Sequence, residues 1–163
     1  PLLHGEITNK IISCFYKVYN TLGYGFLERV YENAMRVELE RQGLSVTAQV
    51  PIKVYNEGVV VGDYVADLCV ENAVVVELKA ASSLEKAHEA QLMNYLRATG
   101  MQVGLLLNFG PKAEFSRKVH THRPARVDAE GVKQYSGEYG TRRRAKHSTA
   151  TQPSQEQRMI PHM

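Results

Sequence analysis

The sequence predicts an α/β protein in which helices flank a mixed sheet, in the order helix, helix, three strands, helix, strand. Three observations carry this. Apolar residues recur at helical spacing between residues 7 and 42, with one break at Gly23-Tyr24-Gly25. From 44 to 79 the period changes to two, with turn signals at Asn56-Glu57-Gly58 and Glu71-Asn72. A helical pattern then returns and is followed by an apolar strand over 101–109.

The first helix is read from Ile7, Ile11, Phe15, Val18 and Leu22, with Thr8 near its start. Two glycines around Tyr24 predict a tight turn. The second helix covers about 26–42 and stops at Gly43. Leu27, Val30, Tyr31 and Ala34 are its expected apolar stripe, with Glu28 in the first turn beside it. An acid there complements the helix dipole and needs no other role.

The strand over 44–55 alternates loosely through Val46, Ala48, Val50, Ile52 and Val54, and Pro51 assigns it to an edge or a bulge. A hairpin leads into Val59-Val60-Val61, an interruption at Gly62, and a strand to Val70. Strict alternation puts Val65, Asp67 and Cys69 on one face. The third strand, Val74-Val75-Val76-Glu77-Leu78-Lys79, is short, β-branched and apolar, as a buried central strand should be. Glu77 and Lys79 share a face of it. Ser82 and Glu85 have capping-box spacing for a helix running to about Thr99 and ended by Gly100. Leu84, His88, Gln91 and Tyr95 cluster on one side of that helix, and a buried Gln needs a partner. His88 reads as a satisfied or half-exposed histidine.

The chain has 163 residues, 44% hydrophobic and 23% charged, which is the composition of a soluble globular protein. We expect one domain over 1–122 and a basic, disordered extension over 123–163. Residues 1–111 hold 9 Lys and Arg against 12 Asp and Glu, whereas 112–163 hold 11 against 5. Such a basic tail attracts phosphates without regard to sequence. No apolar run reaches the roughly 20 residues that span a bilayer, so no membrane partner is expected. The opening residues lack the pattern of a secretory signal. Cys14 and Cys69 have no metal-ligand spacing and read as reduced packing residues, which implies a cytoplasmic setting.

The chemistry centres on Asp67, Glu77 and Lys79. A hairpin can set Asp67 and Glu77 on neighbouring strands, where two carboxylates repel unless a cation lies between them. Hard oxygen ligands suit Mg²⁺ or Mn²⁺, which polarise phosphoryl oxygens and acidify bound water. Lys79 can orient an attacking water or stabilise developing negative charge. The plain alternative for Lys79 is an ion pair with Glu77 or Glu28. Gln91 and Tyr95, four apart, can hydrogen-bond site groups or a phosphate.

These residues and the element order resemble the PD-(D/E)xK nuclease superfamily over roughly residues 5–120. The likeness extends to its small bacterial GxxExxY proteins, whose signature is similar to Gly25-Phe26-Leu27-Glu28-Arg29-Val30-Tyr31. Gln91-Leu92-Met93-Asn94-Tyr95 resembles the QxxxY element of the RecB-like branch. Ala66 stands where many members have Pro before the acid. The resemblance implies a restriction-endonuclease-like core and Mg²⁺-dependent cleavage of DNA phosphodiesters. It assigns metal ligation to Asp67 and Glu77 with the backbone carbonyl of Leu78. It matches Glu28 to the acid of the first core helix, which as a metal residue could bind through water or help hold a second ion. It assigns catalysis to Lys79 with those acids, and support to Gln91, Tyr95 and Tyr31. For Tyr31 and Tyr95, packing with a tethered hydroxyl is the equal alternative. A module that binds nucleic acid or joins an assembly without turnover is the competing reading of the whole chain. A phosphodiesterase acting on something other than DNA is a third.

Overall fold

Helix α1 (Gly5–Leu22) forms where the apolar spacing predicts it, and Ile11, Cys14, Phe15 and Val18 make its buried face. The computed structural model describes residues 2–121. The expectation for 123–163 lies outside the described residues. After α1 the chain turns through Gly23 and Gly25, at φ 67° and 110°, values that residues with a Cβ rarely adopt.

Helix α2 (Glu28–Arg41) follows, and Gly43 at φ 79° lies just past its end. Its buried stripe differs from the expected one. Leu27 and Val30 are exposed, whereas Tyr31, Glu32, Met35, Glu38 and Leu39 are buried. Leu27 is the extended N-cap residue and so falls outside the helical phase. Tyr31, Met35 and Leu39, four apart, set the inner face instead. Glu38 accepts a hydrogen bond from Lys17 Nζ at 2.6 Å, which ties α2 to α1.

The sheet contains β1 (Val46–Asn56), β2 (Val59–Val70), β3 (Val74–Lys79), β4 (Val103–Phe109) and β5 (Ala113–Val119), in that spatial order. β3 is central and buried along its length except at Lys79. It pairs in parallel with β4 through the crossover helix α3 (Lys86–Thr99), and the other pairs are antiparallel. β1 is an edge strand, which accommodates Pro51. β5 extends the expected order by one strand. Four of its seven residues are Glu114, Ser116, Arg117 and Lys118, so no apolar alternation announces it. An edge strand needs none.

Helices α1 and α2 cover one face of the sheet, against Val74, Val76, Leu78, Leu105 and Leu107. Helix α3 covers the other, with Leu92, Tyr95 and Leu96 against Val75 and Leu106. The β1–β2 hairpin contributes to both cores. Val46, Ala48, Leu68 and Val70 belong to the first, and Val50, Ile52 and Ala66 to the second. The change of face falls at Gln49, whose φ is 53° and which drops out of the register between Ala48↔Leu68 and Val50↔Ala66. Asp67 lies opposite it. A positive φ within a strand interrupts the pleat, so Val65, Asp67 and Cys69 do not share a face as strict alternation required.

Helix α3 starts at Lys86 rather than within a Ser82–Glu85 box. Glu85 is the N-cap, and its N–H donates to His88 Nδ1 at 3.1 Å. That bond gives His88 its partner. Both cysteines are free and buried. Among the described residues no helix is long and apolar enough to cross a membrane.

Candidate active site

The sheet opens between β2 and β3. Their ladder holds only Leu68↔Val76, Cys69↔Val75 and Val70↔Val74. One residue further on, two carboxylates stand in for the missing backbone partners. Asp67 N–H donates to Glu77 Oε1 at 3.1 Å, and Leu78 N–H donates to Asp67 Oδ2 at 2.8 Å. Buried N–H groups need acceptors, so these bonds hold both acids where the strands part. The pleat interruption at Gln49 and Asp67 accompanies this arrangement.

Glu77 is only 4% exposed. Burial first and the Asp67 charge second push its carboxyl up to about 8, against the pull of the Asp67 N–H and of Lys79. Without a cation, the pair therefore retains a proton near neutrality. Lys79 continues the same strand, and its Nζ donates to Gln91 Oε1 at 3.3 Å. Gln91 Nε2 donates in turn to the Tyr95 hydroxyl at 2.9 Å. Tyr95 is buried, and its phenol is raised first by burial and then by the Glu77 charge. One turn of α3 thus hands the ammonium a neutral acceptor instead of a carboxylate.

The chain beyond Lys79 is clamped as well. Buried Asn108, beside Lys79 on β4, accepts from Ala81 N–H at 2.9 Å and donates to Ala81 O at 3.0 Å. Leu84 N–H donates to Glu114 Oε2 at 3.0 Å. The end of β3 is thereby fixed from β4 and β5.

The structure brings Asp67, Glu77, Lys79, Gln91 and Tyr95 together. Glu28 makes no hydrogen bond or ion pair with them; it is exposed at the start of α2, in a groove it shares with Phe26, Ala80, Ala81 and Gly110. Tyr31 is fully buried and stacks on Phe109 with ring centroids 4.2 Å apart. Its hydroxyl donates to Gly23 O at 2.7 Å and accepts from Phe26 N–H at 3.2 Å. Tyr31 therefore shapes the glycine turn that carries Glu28.

Sequence reasoning missed Glu32. It is buried, accepts from Gln49 Nε2 at 2.8 Å, and lies 3.5 Å from Arg29. Burial raises its carboxyl, Arg29 opposes that, and the Asp67 charge raises it further. Glu32 is thus an acid of α2 that the Asp67 charge reaches. The Tyr31–Met35–Leu39 spacing sets position 32 beside the buried stripe, but α2 also carries Glu28, Glu38 and Glu40, and the spacing does not say which acid turns inward.

The donor set fits a small divalent cation. Asp67 and Glu77 offer hard oxygens. A strand residue presents its N–H and C=O on the same edge, and Leu78 N–H faces Asp67, so Leu78 O faces the gap too. Among the described residues no three His, Cys, Asp or Glu side chains gather as a closed cage. Mg²⁺ sites commonly lack one and use one or two carboxylates with water and substrate phosphate.

A family model of the PD-(D/E)XK nuclease superfamily matches residues 5–119. No curated protein matches the chain. Among solved structures, one described as the crystal structure of SSO0001 aligns with TM-score 0.48 and 18% identity. The alignment covers 74% of this chain and 61% of that one, so this chain spans less than two thirds of it. The alkaline exonuclease LHK-Exo from Laribacter hongkongensis aligns with TM-score 0.44 and 11% identity, over 70% of this chain and 69% of that one.

Proposed function

The chain belongs to the PD-(D/E)XK nuclease superfamily, and from that premise we propose that it is a Mg²⁺- or Mn²⁺-dependent hydrolase of DNA phosphodiester bonds. The observation that carries the reading is the Asp67–Glu77 pair at the parting of β2 and β3, with Lys79 two residues along. Asp67, Glu77 and Leu78 O would hold the ion. Bound there, it would polarise a phosphoryl oxygen and acidify a water.

The residues of the chain do the rest. In their ionised form Asp67 and Glu77 supply the negative charge that draws a cation to the gap. Lys79 turns its ammonium toward the attacking water or the charge that builds on phosphorus-bound oxygens. Gln91 and Tyr95 hold Lys79 off the carboxylates, so it remains a donor rather than half of an ion pair. Glu28 is proposed to meet the ion through water, from the groove beside Ala80 and Ala81. Glu32 adds negative potential behind Asp67.

The finer placement among bacterial GxxExxY proteins rests on residues 25–31, and the RecB-like feature rests on Gln91 and Tyr95. We assign the activity to residues 1–122 and a phosphate-attracting role to the basic residues after them. A cytoplasmic site of action is consistent with two free, buried thiols.

The test is incubation of the full chain with single- and double-stranded DNA in Mg²⁺ or Mn²⁺, alongside Asp67→Ala and Lys79→Ala. Cleavage by the wild type, lost in both variants, is the expected result. Salt-sensitive DNA binding with no cleavage in either metal would instead establish a non-catalytic binding module.

A further inference from the structure

β2 runs well past the end of its pairing with β3, so residues 59–66 have no partner on that strand. Tyr64 stands in this stretch, three residues from Asp67, or about 10 Å along a strand. It is 49% exposed, yet it is not a loose surface side chain. Its ring centroid lies 5.8 Å from that of buried Tyr95, tilted by 48°. It also lies over Gly62, where an added Cβ would come within 2.9 Å of Tyr64 Cε2. The glycine that interrupts the valine-rich strand therefore makes room for the ring. Tyr95 in turn is held by Gln91, which also accepts from Lys79. A half-exposed aromatic ring is thus fixed in place, one ring away from the carboxylates.

We propose that Tyr64 is the platform on which the nucleobase beside the scissile phosphate stacks, and that the site consequently takes single-stranded or end-frayed DNA over duplex interiors. This rests on the nuclease reading and names its substrate class. A fixed π-face stacks any base without reading its identity. A base within a duplex must first leave its neighbours to reach such a ring, which costs least in a single strand or at a fraying end. Tyr64 is then a substrate-binding residue, while Gly62 and Tyr95 position it.

The experiment compares wild type, Tyr64→Phe, Tyr64→Leu and Gly62→Ala, each checked for an unchanged melting temperature. The substrates are a single-stranded oligodeoxyribonucleotide, its duplex, and a strand with base-free residues throughout. Tyr64→Leu and Gly62→Ala should lower kcat/KM on the ordinary single strand by about 10-fold or more. On the base-free strand they should make no difference, and Tyr64→Phe should match wild type on all three. Wild type should favour the single strand over the duplex. Equal losses on ordinary and base-free strands, unchanged rates in Tyr64→Leu, or a wild-type preference for duplex interiors would overturn the proposal. If wild type cleaves nothing, the nuclease reading fails and stacking is decided by binding. A single-stranded 2-aminopurine oligonucleotide would then be quenched by wild type and Tyr64→Phe, but not by Tyr64→Leu. Equal quenching by all three would refute the platform.

Discussion

Glu77 is a carboxyl group with almost no water around it and a second carboxyl as its neighbour. Its folded pKa, about 8, lies above the ordinary 4.5. The metal-free fold therefore keeps a proton that the unfolded chain gives up between those values. The sign follows: this contribution is complete below pH 4.5, declines as pH rises, and is gone above about 8. The decline can reach about 1.4 kcal/mol per pH unit. Calorimetry in EDTA should accordingly find a melting temperature at pH 8.5 lower than at pH 5.5, and Glu77→Gln should flatten that slope. Mg²⁺ or Mn²⁺ at pH 8.5 should restore stability to the wild type and not to Glu77→Gln. A metal-free slope that Glu77→Gln leaves unchanged would place the titration elsewhere. Asp67, Glu77 and Lys79 were legible in the sequence because charged residues in an apolar hairpin are conspicuous. Glu32 was not, because α2 carries acids on several faces and only packing says which one is inside.

At the scale of elements, two local devices shape the site, and each can be tested alone. The first is the turn between α1 and α2. Tyr31 holds it by one hydrogen bond given and one received. Tyr31→Phe should cost about 1–3 kcal/mol in urea unfolding, because Gly23 O loses its donor and Phe26 N–H its acceptor. The loop at residues 23–27 should also become a preferred protease site. The second device is the pleat interruption at Gln49. Its φ of 53° is strained for a β-branched residue, and its amide holds Glu32. Gln49→Val should therefore destabilise by about 2–4 kcal/mol, from backbone strain and a carboxylate left without its donor. Were Gln49→Val as stable as wild type, the positive φ would not be a demand of the fold. Neither device has a sequence signature of its own. A tyrosine in a helical stripe looks like core, and a glutamine in an alternating strand looks like surface.

At the scale of the molecule, among the described residues two helices cover one face of the sheet and one the other, the sheet parts between β2 and β3, and the proposed chemistry sits there. Among the described residues the framework closes with β5, which pairs along β4 from Val103 to Phe109. Deleting residues 124–163 should thus leave the melting temperature within about 1 °C, since those residues follow the last described strand. The same deletion removes a net positive charge and should flatten the salt dependence of DNA binding. Loss of cooperative unfolding on truncation would show that the core extends further than β5.

The sequence by itself determined the helices, the hairpins, the central strand and the charged residues upon it. Those depend on local spacing, glycine conformation and the burial of apolar runs, which act over a few residues at a time. The tertiary structure alone decided that β1 and β2 change faces at Gln49 and Asp67. It alone decided that Glu32 turns inward while Glu28 stays in the outer groove, and that Tyr64 lies over Gly62 against Tyr95. Each of those depends on which neighbour fills a space or supplies an acceptor across the sheet, and periodicity along one strand carries no information about the next.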